Sequence, residues 1–225
     1  MLTVGGVGIN FSQSSSDGLR STSPYGTFDS SGTNAEIHNA FSAEVSLAQF
    51  ITDNFVVETA FGLPPRLNVY AQGDARPIGA NGPALALGEL QPLLSVRAWP
   101  VTLLFKYYFR GAESSLRPFV GLGVNYTWYS NIHLNGSFYQ AAQSFAGPGG
   151  TVRVSLSPSW NAVFSLGASY QLAKHWYGSA SLTYFPLKSN ATVSSVSATG
   201  STILDNKMRI NANPIVVAVG VGYAF

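Results

Sequence analysis

Residues 211–225, NANPIVVAVGVGYAF, alternate bulky and small side chains along a single run. In a strand, successive side chains point to opposite faces. Ile215, Val217, Val219, Val221, Tyr223 and Phe225 therefore share one wholly apolar face, and Val216, Ala218, Gly220, Gly222 and Ala224 share a face of small groups. Such a strand fits lipid on one side and a tightly filled interior on the other, as in the wall of an outer-membrane β-barrel.

Composition narrows the setting. Charged residues are 10% of the 225-residue chain and aromatics 13%, against about 25% charged in an ordinary soluble protein. So few charges cannot solvate a large β surface. No run of about 18 consecutive apolar residues exists to make a transmembrane helix, so membrane insertion requires a barrel. A closed barrel of this length is one unit, and no composition shift marks a boundary, so residues 1–225 are expected to form a single domain. The net charge is +2 and the basic residues are scattered, which gives no nucleic-acid footprint. With no cysteine there is neither a disulfide framework nor a thiolate site. No EF-hand, P-loop, dinucleotide fingerprint or zinc spacing appears, so no metal or other cofactor is expected. No export leader precedes LTVGGVGINF, and Met1 is expected to stand where one has been removed.

Alternation marks eight strand-like stretches, at about 2–12, 39–51, 55–69, 94–109, 117–129, 152–171, 176–189 and 208–225. Three connections are short: Thr52-Asp53-Asn54, Arg110 to Leu116, and Gln171 to His175. They alternate with polar connections of roughly twenty to thirty residues. These long segments, such as SSSDGLRSTSPYGTFDSSGTN, are rich in Ser, Gly, Asn and Pro and read as loops. The asymmetry predicts an all-β, eight-stranded antiparallel transmembrane barrel with short periplasmic turns, long extracellular loops and both termini periplasmic.

Parity sorts the faces. Pairing Ile51 with Phe55 sets Ala48 opposite Glu58 and Glu44 opposite Gly62, so both carboxylates share one face. Outward positions in later strands include Val101, Phe105, Leu122, Phe164, Leu182 and Val217, with no charge among them. A Lys or Arg at the lipid midplane would cost about 2–4 kcal/mol. A soluble barrel with its apolar face inward also alternates. The Gly, Ala, Ser and Thr of the other face decide against it, since they suit the narrow interior of eight strands better than a water-facing surface. Tyr107, Tyr126, Tyr170, Trp176, Tyr184 and Tyr223 fall toward strand ends on the apolar face, as an interfacial girdle.

At TDNFVVETAFGLPPR, WPVTLLFKYYFRG, LRPFVGLGVNYTWY and the final GYAF, in order across about 40–225, the chain resembles the OmpW family of small outer-membrane proteins. The run Arg117 to Thr127, RPFVGLGVNYT, is the most specific of these segments. The resemblance implies a narrow, largely hydrophobic channel and passive uptake of small hydrophobic or amphipathic molecules. It departs where the family pinches its channel, at positions aligned with Ala60 and Thr183, and where a basic-x-Asp-Pro run is replaced by Asn211-Ala212-Asn213-Pro214. The gate and the ion pair are therefore not carried over. Tyr223 and Phe225 resemble the terminal aromatic signal read by the outer-membrane assembly machinery.

Besides these terminal aromatics, three sets of residues are candidates for function. Glu44, Glu58, Lys106 and Arg117 are the charges expected in the lumen, either as a polar plug or as ion pairs that merely fill the barrel. Above them Ala60, Gly62, Pro100, Thr102 and Leu104 on two neighbouring strands are expected to line the lumen. Tyr129, Val163, Thr183, Phe185 and Val216 join them, either around an apolar pocket or packed against one another. Pro64, Pro65 and Pro100, with Pro92 nearby, lack the N–H that a ladder needs. They open a lateral gap between neighbouring strands or lie above the membrane. The three histidines, His38, His133 and His175, show no triad spacing, so no catalytic residue is assigned. Expected partners are membrane lipid, lipopolysaccharide and small hydrophobic molecules, with release of the last sideways into the bilayer. An adhesive or receptor role of the loops is the alternative, and an acyl hydrolase or transferase a further one. The sequence leaves the oligomeric state open.

Overall fold

A computed structural model of the chain describes residues 1–12 and 14–225. Eight antiparallel strands close on themselves: β1 (Leu2–Asn10), β2 (Ala40–Phe50), β3 (Phe55–Gly62), β4 (Leu94–Tyr108), β5 (Leu116–Leu134), β6 (Ser159–Gln171), β7 (Trp176–Tyr184) and β8 (Ile215–Tyr223). Each pairs with the next, and β8 closes the seam on β1 with Val4 opposite Val221. The registers expected at the first turn hold, with Ala48 opposite Glu58 and Glu44 opposite Gly62.

Short turns hold one end. In Thr52-Asp53-Asn54 the Thr52 hydroxyl accepts from the Phe55 amide at 3.0 Å, and the Asn54 side chain donates to the Tyr108 carbonyl at 2.7 Å. The first turn is thereby tied to the second. Between the aromatic belts the outward face of the barrel carries no charge and is mainly apolar, with Phe105, Leu122, Phe164, Leu166 and Val219 all exposed. Aromatic belts bound this zone. Trp99, Tyr126, Trp128, Trp160 and Tyr184 mark the far side, and Phe55, Tyr107, Phe109, Tyr170, Trp176 and Tyr223 the turn side. Ten residues separate Trp99 from Phe109, about 33 Å of strand, or about 25 Å across the membrane at a tilt of ~40°. That matches an outer-membrane apolar band.

Inside, the small residues let backbones approach closely. A Cβ on Gly123 would run into the Leu103 carbonyl, and one on Gly167 into that of Ala180. Larger side chains there are incompatible with eight strands around a narrow lumen.

Beyond the aromatic belt the structure corrects the sequence reading. Stretches expected as single strands over 55–69, 152–171, 176–189 and 208–225 each break at proline: Pro64-Pro65, Pro158, Pro186 and Pro214. The cause is the missing N–H, which ends each ladder at the outer rim of the lipid-facing zone. The long connections are not irregular loops. Leu19–Ser23, Gly26–Ser30, Thr151–Leu156, Leu187–Val196, Thr202–Ala212 and the short Ser15–Ser16 form a six-stranded sheet, while Asn34–Ile37 and Arg66–Gln72 prolong the barrel sheet beside β4. Together they make a crown with its own core, including Leu67, Val69, Leu94, Leu187, Met208 and Ile210. A helix, Gly136–Ala146, is capped by the Asn135 side chain, which accepts from the Ser137 amide at 2.9 Å. Ser195 Oγ donates to its Ala142 carbonyl at 2.8 Å, holding it against the sheet.

Candidate functional site

The upper lumen holds a partly open space of about 710 Å³, counting its mouth. Of the expected lining residues, Ala60, Gly62, Pro100, Thr102, Leu104, Thr183, Phe185 and Val216 border it. Two do not. Tyr129 lines a smaller space of about 330 Å³ at the neck between barrel and crown, with Leu67, Leu156 and Leu187. Val163, opposite Gly123 on β5, is 1% exposed and does not border the space. Sequence reasoning missed Val7 and Ile9, whose parity in the glycine-rich β1 was readable, and Leu63 and Pro65, which follow the break.

The floor is polar. Lys106 and Glu58, both buried, meet Nζ to Oε1 at 2.5 Å, and the ammonium lies 4.4 Å from the Phe119 ring centre. Glu44 borders the space on either side of this pair. Burial of two charges demands such pairing. Arg117, another of the charges expected in the lumen, is buried on the inward face of β5 at its turn end. It lies lower, over the rings of Tyr108 at 4.7 Å and Phe50 at 5.4 Å, and donates to the carbonyls of Arg110 and Asp53 in the turns. It bonds turn backbone rather than a carboxylate, because the turns present carbonyls outside the strand ladders at that depth. Higher up, the fully buried Asn125 donates to Thr102 Oγ1 at 3.0 Å and accepts from Thr127 Oγ1 at 2.7 Å.

The ladder between β3 and β4 is interrupted. β3 pairs with β4 as far as Phe61 opposite Val101, and pairing resumes with Arg66 opposite Arg97, one residue out of register. Between them Gly62 to Pro65 form no regular ladder with Ala98 to Pro100, apart from a 3.2 Å bond from the Ala98 amide to the Pro65 carbonyl. Pro64, Pro65 and Pro100 all fall here, beside the lipid-belt residue Trp99. Pro92 precedes β4 and lies outside the break. Leu63 is 62% exposed on the outer surface and also borders the lumen space.

Above the neck, the crown holds a second empty space of about 770 Å³, walled mainly by apolar side chains such as Leu87, Phe138, Phe145, Leu204 and Met208. Val69 and Ile210 border both this space and the neck. The histidines lie apart. His38 stacks on Tyr70 with ring centres 3.8 Å apart, His133 is exposed on β5, and His175 Nδ1 is 2.9 Å from the Ala224 carbonyl. Among the described residues no group of three or more metal-ligating side chains converges. β8 ends at Tyr223, and Phe225 beyond it is 85% exposed.

Comparison with known proteins agrees with this architecture. Outer membrane protein W of Vibrio cholerae is 27% identical over 181 residues, covering 80% of this chain and 72% of that one. The Salmonella typhimurium protein of the same name is 27% identical over 156 residues, 69% of this chain and 62% of that one. Among solved structures, the outer membrane protein OprG from Pseudomonas aeruginosa superposes with a TM-score of 0.76 at 23% identity, over 100% of this chain and 95% of that one. The outer membrane protein AlkL, determined in lipid bilayers, gives 0.56 at 19% identity, over 98% and 90%. Residues 6–225 match the OmpW family, and the chain, an eight-stranded barrel of the outer membrane, belongs to it.

Proposed function

We propose that the protein is a channel for passive uptake of small hydrophobic molecules, with the crown outside the cell and release sideways into the membrane. A guest enters the apolar crown space, passes the neck and reaches the upper lumen. Transfer of apolar surface from water favours entry by about 25 cal/mol per Å². The Glu58–Lys106 pair and the Phe119, Tyr108 and Arg117 stack below it block the straight path. The break between β3 and β4 supplies the exit. The observation that carries this reading is Leu63, which faces the lipid side and the lumen at once where the ladder is interrupted.

Cross-linking the break tests it. A Cβ on Gly62 would lie 3.3 Å from Pro100 Cγ, and the chain has no native cysteine, so the pair Gly62→Cys and Pro100→Cys places one disulfide across the gap. Uptake of a small hydrocarbon into liposomes is expected to fall at least about tenfold when the pair is oxidised and to return on reduction. Unchanged uptake in the oxidised protein overturns lateral release. Uptake equal to that of protein-free liposomes overturns the channel itself.

A further inference from the structure

Just above the lipid belt, on the outer face, two arginines stand directly opposite each other. Arg66 and Arg97 are partners in the ladder that resumes above the break, and both are exposed. Directly opposed side chains start about 5 Å apart, and like charges in that relation destabilise a sheet. Among the described residues the ion pairs are Arg20–Asp29, Glu58–Lys106 and Asp205–Lys207, so no carboxylate neutralises either arginine. The carboxylate on this face, Glu36, is opposite Tyr70, four residues from Arg66 and so about 13 Å along the strand.

The surroundings are built for an oxyanion. Arg66 Nη2 donates to Ser95 Oγ at 2.9 Å, which fixes one guanidinium over the strand. On β5, Ser130 is opposite Arg97 and His133 opposite Ser95, which extends the patch with a hydroxyl and an imidazole. Beneath Arg97 on the same face, Trp99 and Trp128 stack with ring centres 6.0 Å apart, and Trp99 Nε1 donates to Ser130 Oγ at 2.9 Å. Exposed tryptophans of this kind sit at headgroup depth. A guanidinium fork matches phosphate geometry with two parallel hydrogen bonds.

We propose that Arg66 and Arg97, with Ser130 and His133 beside them, bind a phosphate of the lipopolysaccharide that surrounds the crown. The choice of leaflet rests on the outward orientation of the crown proposed above. The binding assay does not, and its failure would leave the uptake and cross-linking results untouched.

The protein in neutral detergent is titrated with diphosphoryl lipid A, with its phosphate-free form and with inorganic phosphate, and bound lipid is counted by native mass spectrometry. Diphosphoryl lipid A is expected to bind, and the R66Q/R97Q variant to bind it about tenfold or more weakly. K188Q/R209Q, which removes two exposed cations elsewhere on the crown, is expected to leave binding unchanged. Heat-modifiable gel mobility checks that each variant is folded. Should R66Q/R97Q not fold, R97Q alone carries the comparison, with a smaller loss expected. Equal affinity of parent and folded variant, or equal binding of the phosphate-free lipid, overturns the site. Inorganic phosphate binding as tightly as the lipid overturns the lipid as its ligand.

Discussion

Leu182 and Tyr184 on β7 face lipid, while Lys188 and Asn190, on the same outward parity beyond Pro186, face water. The interiors differ in the opposite sense. Inside the barrel lie Asn125, Ser165, Thr183 and the Glu58–Lys106 pair; inside the crown lie Leu187, Val193, Leu204 and Met208. One chain thus builds two β structures with opposite polarity, joined at a ring of prolines and an aromatic belt. The difference teaches that alternation alone says only that two faces exist. Which face is apolar is set by the solvent outside, and a barrel in lipid must keep its polar groups where they pair with one another.

The sharpest way to break this comparison is in the barrel's polar interior. Lys106→Met leaves the Glu58 carboxylate buried without its partner and is expected to cost about 3–5 kcal/mol in urea unfolding from lipid vesicles. Adding Glu58→Gln is expected to restore much of that loss, because the stranded charge is gone. A double variant no more stable than the single would show that the barrel interior does not enforce pairing.

Next in size is a swap of surface rules. Val219→Arg puts a charge on the lipid face of β8, where Val219 is 62% exposed, and is expected to cost about 2–4 kcal/mol. Asn190→Arg, outward on the crown, is expected to stay within about 0.5 kcal/mol of the parent. Equal costs in the same vesicle titration would place both positions in one solvent.

The smallest effect belongs to the crown alone and depends on pH. Partial burial pushes the Asp205 carboxyl up, but hydrogen bonds from Ser194 and Lys207 and the Lys207 charge outweigh it and hold the carboxyl below its ordinary value. Ser194 Oγ donates to it at 2.6 Å and Lys207 Nζ lies 2.9 Å away. A carboxyl lowered in the folded state adds stability above its unfolded value, and that contribution is lost as pH falls through the folded one. The protection of amides in the 187–212 hairpin, taken relative to the intrinsic exchange rate at each pH, is expected to fall as the medium is acidified below the ordinary carboxylate range, and Asp205→Asn to remove that dependence. Exchange in β4 and β5 should not follow it.

Much of the wall was legible because its signals are local. The parity of Val101 to Phe109 and of Val120 to Trp128, and the Thr52-Asp53-Asn54 turn, are short-range patterns that fix face and register together. The pairing of Lys106 with Glu58 was accessible from the same parity. The crown was not, since its strands are rich in Ser, Thr, Asn and Gly, which locally favour turns. A signal did exist in Thr202 to Ala212, where Leu204, Met208, Ile210 and Ala212 alternate with polar residues. It pairs with Leu187–Val196 on one side and with the distant Leu19–Ser23 on the other, and such long-range partners leave no mark in a local window.

By itself, then, the sequence determined the barrel's strands, their lipid-facing side, the turn end and the charges that would have to be paired. Tertiary structure alone decided that the long connections fold into a crown around an apolar space, that Arg117 binds turn carbonyls, and that the ladder slips by one residue between Phe61 and Arg66. The physical reason is range. Side-chain parity acts between neighbours, whereas closure of the sheet, the docking of the crown and the place of the break between β3 and β4 depend on strands far apart in the chain meeting in a single register.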